Sequence, residues 1–221
     1  MTFYCSCHSL VYFLALEKCN SLGSSSIAIF IEELLRLHHG QGLDILWREN
    51  GDCPSEEQYE KMVLEKTGGL FRLAVRLMQC FSDNKSNFGP LLDQLALYFQ
   101  IRDDLLGLND KEQGKILFED ITEGKLSFPV IHALRTHAKD TRLLSILRQR
   151  TDDAYLKAYA VRWLRQCESL TYTREKLRTI HDQLVTLLRE LGGKAESRLG
   201  ALLERLEAQL DDMMGKEAAP P

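Results

Sequence analysis

Apolar residues recur every three or four positions through most of the chain, and strand-like alternation is nearly absent. That pattern predicts an all-helical protein. A first helical stretch breaks at Gly23-Ser24-Ser25-Ser26. A second runs from about Ser26 to Arg48, with Ile27, Phe30, Ile31, Leu34, Leu35 and Leu37 apolar. After a loop at Asn50–Pro54, Ser55-Glu56-Glu57-Gln58 has the form of a capping box, with Ser55 as N-cap and Gln58 reaching back. The helix it opens carries Tyr59, Met62, Val63 and Leu64 and continues through Lys66-Thr67-Gly68-Gly69 to about Cys80. Residues 82–90 read as a loop and residues 107–114 as a polar break. Pro129 suits the first turn of a helix through Val130, Ile131 and Leu134. Further helical patterns cover 143–149, 154–167, 172–191 and 195–214, and residues 215–221 read as a disordered tail.

Residues 91–106 depart from the ordinary amphipathic pattern. They are apolar on nearly every side, which predicts a buried helix. Near its end stand Asp103 and Asp104, preceded by Gln100 at three and four positions, a spacing that lets them share a face. An ionised carboxylate is costly to bury unless it is paired or holds a metal. Hard oxygen ligands suit Mg²⁺, which takes one or two carboxylates and completes its shell with water and phosphate. The alternative is that Arg102 neutralises one aspartate and solvent the other.

Two glycine pairs interrupt helical patterns. Gly40 and Gly42 make sense where a backbone or a ligand approaches closely, and they flank Gln41, three residues before Asp44 on one face. Gln41 and Asp44 also fit a satisfied polar patch between helices. Gly68-Gly69 follows Lys66 and Thr67, a cation and a hydroxyl that both suit phosphate. A solvated lysine beside a packing glycine pair is the plainer account. Lys115 and Lys125 stand on either side of an acidic turn, where they serve phosphate as point charges or simply face solvent.

Composition narrows the class. The 221 residues are 44% hydrophobic and 27% charged, as in soluble globular proteins. With 28 basic and 32 acidic residues, the net charge of −4 gives no electrostatic reason to expect nucleic acid. No apolar run is long enough for a transmembrane segment. Met1–Leu16 lacks the basic start of a secretory signal. The six cysteines are scattered, which suits reduced thiols in a cytoplasmic protein. Cys5-Ser6-Cys7-His8 has no second pair at a useful spacing for metal.

The ordered set Gly40-Gln41-Gly42-Leu43-Asp44, Lys66-Thr67-Gly68-Gly69, Phe99-Gln100-Ile101-Arg102-Asp103-Asp104 and Glu123-Gly124-Lys125 resembles the trans-prenyl diphosphate synthases. Gln41 to Arg48, Leu147 to Thr151 and Thr122 to Lys125 look most like the geranylgeranyl diphosphate synthases of animals. The resemblance covers residues 12–214, as one synthase domain, and leaves 1–11 unmatched. It implies an isoprenoid-synthase-type helical bundle around a central cavity, with Mg²⁺ as cofactor. The implied reaction ionises an allylic diphosphate (farnesyl diphosphate) and alkylates isopentenyl diphosphate to give geranylgeranyl diphosphate. Carried over by position, Asp103 and Asp104 are metal ligands of the second aspartate-rich motif. Lys66, Thr67, Gln100, Lys115 and Lys125 bind substrate diphosphate, and Lys66, Thr67, Gln100 and Lys125 serve catalysis. Gln41 and Asp44 line the cavity.

Two departures qualify the resemblance. Gly107 stands where the wider family has the third aspartate of that motif, and the 221 residues contain no first aspartate-rich motif. The expectation is therefore an N-terminally shortened form, missing the N-terminal helices of the fold, whose own catalysis is left open. It would associate with itself as a homo-oligomer or with a full-length synthase. The alternative is an impaired short form acting as a subunit or regulator.

Overall fold

The computed structural model describes residues 2–108 and 118–217. Those residues form helices and connecting turns, with no strand among them. In chain order the helices are α1 (Thr2–Leu22), α2 (Ser24–Asn50), α3 (Glu56–Cys80), α4 (Gly89–Leu106), α5 (Glu119–Glu123), α6 (Phe128–Thr136), α7 (Arg142–Gln149), α8 (Ala154–Gln166), α9 (Ser169–Leu191) and α10 (Gly193–Glu217).

Helix α4 is apolar all round because helices surround it. It packs on α3, on α9 and, more lightly, on α6. Leu91, Leu92, Leu95, Ala96, Leu97, Tyr98, Ile101 and Leu105 are all buried along it. Burying each large side chain contributes about 1.5–3 kcal/mol relative to exposure. This helix therefore carries much of the core, and its polar end is held in place by that packing.

Local chemistry sets the neighbouring boundaries. The capping box forms at α3: the Gln58 backbone N–H donates to Ser55 Oγ at 3.1 Å, and the Ser55 N–H donates to Gln58 Oε1 at 2.8 Å. Two of the orphan donors at a helix start are thereby satisfied. Pro129 sits in the first turn of α6, where its missing N–H costs nothing. Asp153 caps α8 by accepting from the N–H groups of Tyr155 and Leu156.

Helices α2 and α3 pack closely along their length. A Cβ on Gly40 would lie 2.6 Å from the Lys66 backbone nitrogen and 2.8 Å from the Met62 carbonyl oxygen. One on Gly69 would lie 3.1 Å from the Glu33 carbonyl oxygen. Gly42, expected to mark a close approach as well, has nothing within 4 Å of such a Cβ. The same seam buries Glu33, whose carboxylate accepts from Arg72 Nε at 3.1 Å and from Arg76. Arg72 also reaches Asp93 on α4 at 2.9 Å. One guanidinium thus ties three helices together.

Helix α1 packs on α2 and leaves Leu10, Val11, Phe13 and Leu14 more than half exposed. At the other end, α10 remains helical to Glu217, three residues into the stretch read as a tail; residues 218–221 lie outside the described residues. Lys115 lies outside them too, as does most of the polar break at 107–114.

The glycine contrast is testable. Gly40→Ala is expected to cost about 1–3 kcal/mol, because backbone on α3 has to give way. Gly42→Ala is expected to be neutral or to stabilise by up to about 1 kcal/mol, through helix propensity alone. Urea unfolding of the two variants measures both, and equal costs would contradict this packing.

Candidate active site

The site is assembled around Asp104 at the end of α4. Its side chain is fully buried, yet both oxygens are used. Oδ2 accepts from the Tyr59 hydroxyl at 2.6 Å and from the Phe128 backbone N–H at 2.8 Å. Oδ1 accepts from Gln100 Nε2 at 3.0 Å and lies 2.9 Å from Lys125 Nζ. The donors come from α3, from α4 itself, from the start of α6 and from the turn after α5. The Phe128 N–H is one of the donors that a helix N-terminus leaves unpaired, and a carboxylate suits that end of a helix.

Asp103 behaves differently. Adjacent residues on a helix lie about 100° apart, so only one of the pair points into the core. Its side chain is 73% exposed, with Lys125 Nζ 3.8 Å away. Gln100 shares a face with Asp104 rather than with both aspartates. It also accepts, through Oε1, from the Thr67 hydroxyl at 2.9 Å. One residue earlier on α3, Lys66 donates to Asp44 Oδ2 at 2.6 Å, and Asp44 is itself buried. Gln41 is half-buried on α2, three residues before Asp44.

Asp44, Lys66, Thr67, Gln100, Asp104 and Lys125 therefore form one polar band across α2, α3, α4 and the turn after α5, with Asp103 on its open side. The plainer sequence readings do not hold for Lys66, Lys125 or Arg102: Lys125 pairs with Asp104 and Asp120 rather than facing solvent. Lys66 is ion-paired rather than solvated, and Arg102 points to Gln209 on α10, 2.9 Å away, rather than neutralising a neighbouring aspartate.

Two participants were not singled out from the sequence. Tyr59 looked like a core aromatic at helical spacing, and nothing local signals a contact 45 positions away. Asp120 lies 3.3 Å from Lys125 Nζ, inside the acidic turn between the two lysines. A signal for Asp120 existed in Gly107. A Cβ at Gly107 would lie 2.6 Å from Asp120 Oδ1, so the Asp120 carboxylate fills the space beside the position where the third aspartate of the motif is missing.

The electrostatics follow from burial. Burial pushes the Asp120 carboxyl up to about 7; Lys125 opposes that rise and Asp104 adds to it. Burial alone would push Lys125 down, but Asp104 and Asp120 outweigh it and hold the ammonium well above the usual lysine range. Burial, then the Asp104 charge, raises the Tyr59 hydroxyl well above its ordinary value, so it stays a donor.

The fit of a divalent cation can be tested on these groups. Asp104 has no free oxygen lone pair directed at solvent, since four donors occupy it. Asp103 is open, and the buried Oδ2 of Asp120 has no hydrogen-bond partner. Among the described residues no three acidic, histidine or cysteine side chains converge into a metal site. The donor set thus fits a cation that takes one or two carboxylates and draws its remaining ligands from phosphate and water.

Comparison with known proteins gives one family. The family model described as polyprenyl synthetase matches residues 6–164. The chain is 48% identical over 202 residues to a geranylgeranyl pyrophosphate synthase of Dictyostelium discoideum, covering 90% of this chain and 66% of that protein. It is 45% identical to the geranylgeranyl pyrophosphate synthase esdpD of Penicillium shearii, covering 89% and 52%. It is 44% identical to a terpene synthase of Matsumurasca onukii, covering 92% and 65%. The chain spans about half to two thirds of the length of these curated relatives.

The two aspartates are expected to separate in stability measurements. Asp104→Asn should destabilise by about 2–3 kcal/mol, because Lys125 stays buried with a weaker partner. Asp103→Asn, at an exposed position, should change stability by no more than about 0.5 kcal/mol. Urea denaturation of both variants is the check, and a larger loss for Asp103→Asn would contradict the assignment.

Proposed function

The chain belongs to the polyprenyl synthetase family, and from that premise we propose that it is a prenyltransferase whose polar band binds the allylic diphosphate. The reaction is the joining of isopentenyl diphosphate to farnesyl diphosphate, giving geranylgeranyl diphosphate. The observation that carries this reading is the polar band itself: two lysines and an amide are held by buried carboxylates, and a hydroxyl by that amide, beside one open aspartate. The names of two of the relatives support the product.

In this reading Lys66 and Lys125 hold the allylic diphosphate as point charges, and Lys115 joins them. Thr67 and Gln100 orient the band, since each hydrogen-bonds across α3 and α4. Asp103 is the direct Mg²⁺ ligand, the free Oδ2 of Asp120 is a second acceptor beside it, and Asp104 anchors Lys125. The bound cation supplies neutralisation of the charge that builds on the departing diphosphate. Gln41 and Asp44 line the approach from α2.

An apolar cavity of about 420 Å³ supports a prenyl substrate. It starts at Phe71, one turn along α3 from Thr67, and continues past Val75, Leu91, Leu92 and Leu95. Such a mostly apolar lining suits a hydrocarbon chain. The family relation gives no support to a purely regulatory subunit. The exposed apolar row on α1, with Ile31 and Leu35 on α2, supports association with a second copy or a full-length synthase. Among the described residues no helix is long and apolar enough to cross a membrane, and Cys19, Cys53, Cys80 and Cys167 are free thiols, which suits the cytoplasm.

The test uses the protein that carries these residues. Radiolabelled isopentenyl diphosphate is expected to enter a geranylgeranyl product when farnesyl diphosphate and Mg²⁺ are supplied, and chelation of Mg²⁺ should abolish incorporation. Asp103→Asn should lower kcat by about 100-fold or more with the fold intact. No incorporation by the wild type would overturn prenyl transfer, and a product of another length would overturn the geranylgeranyl assignment. Light scattering should give a mass above that of one chain; a sharp monomer would count against association.

A further inference from the structure

A second polar cavity, of about 300 Å³, lies where the end of α2, the turn after α5 and the end of α7 meet. Arg48, Arg148 and Arg150 line it together with Glu49, Gly51 and Gly124. Gly124 directly precedes Lys125, so this corner adjoins the diphosphate band without sharing a side chain with it.

Three guanidiniums face few counter-charges here. Arg150 Nη2 lies 2.5 Å from Glu49 Oε1. Arg48 Nη1 is 3.7 Å from Glu123 Oε2, and its buried Nε has no hydrogen-bond partner. Arg148 has no hydrogen bond or ion pair among the described residues. Its guanidinium lies over Gly51, where a Cβ would come within 2.7 Å of Nη2. Gly51 has φ 70°, so the missing side chain both permits the turn and admits the arginine.

The backbone adds a second observation. Arg150 ends α7 at φ 47° and ψ 47°, the left-handed region in which a β-carbon is crowded. Glycine or asparagine is the usual residue at such a position. Arginine there retains strain while contributing a guanidinium to the cavity, a pattern found where function uses the strained residue.

We propose that this corner is a metal-independent site for a phosphoryl oxyanion, held by Arg48, Arg148 and Arg150. A guanidinium presents a planar fork that matches phosphate oxygens two at a time. The volume suits a small ligand. Free inorganic phosphate and inorganic diphosphate, the latter released by the reaction proposed above, share this chemistry. Diphosphate carries more charge and can reach two guanidiniums at once, so it is the tighter ligand.

Calorimetric titration in EDTA separates the sources and isolates this corner from any metal-dependent site. Inorganic diphosphate should bind the full chain, with inorganic phosphate weaker. Arg148→Ala should weaken diphosphate binding by about tenfold or more, the loss of one charge-assisted bond. Arg150→Gly should keep the fold, since glycine accepts φ 47°, and should also lose affinity. The proposal is overturned if neither anion binds in EDTA, which would leave the arginines as contacts for an acidic polypeptide. It is equally overturned if Arg148→Ala binds as tightly as the wild type.

Discussion

The buried carboxylate of Asp104 is the constraint on which the rest depends. Removing a charge from water costs several kcal/mol, and only a full set of donors offsets that cost. Tyr59, Gln100, Lys125 and the Phe128 N–H supply the set. Because those donors belong to four separate segments, satisfying one carboxylate fixes α3, α4, α6 and the turn after α5 relative to each other. The helix rotation then turns Asp103 outward. Two identical neighbours thereby take different parts, one as internal anchor and one as an open carboxylate.

The remaining geometry follows from how closely α2 and α3 approach. Gly40 brings the α2 backbone against Met62 and Lys66, and four residues along α2 Asp44 meets Lys66 Nζ. Glu33 and Arg72 hold the other half of the same seam. The lysine is thus pre-positioned by a paired carboxylate instead of ranging through solvent. Lys125 is held in the same manner by Asp104 and Asp120. Both ammonium groups are thereby fixed in place, with little side-chain freedom left to lose.

Much of this was legible in the sequence. Helical spacing, the Ser55–Gln58 box, Pro129 and the buried character of 91–106 are local signals, and each appears in the fold as read. Lys66, Thr67, Gln100 and Asp104 were legible as a set because their order along the chain is distinctive. The division between Asp103 and Asp104 was only half legible. Their adjacency implies different faces, but which one points inward depends on Tyr59 and Phe128, which are distant in sequence. Asp120 substituting in space near Gly107 is likewise a contact between elements, invisible to periodicity. Gly42 shows the opposite error: a glycine in a helix suggests close approach, yet only packing decides whether anything approaches.

A double-mutant cycle tests the central claim most directly. Asp104→Asn and Lys125→Met, singly and together, would be compared by urea unfolding of the full chain. If Asp104 anchors Lys125, the two changes are expected to be non-additive, with a coupling of about 1–3 kcal/mol. Additivity within about 0.5 kcal/mol would mean that the two side chains do not depend on each other, and would contradict the account.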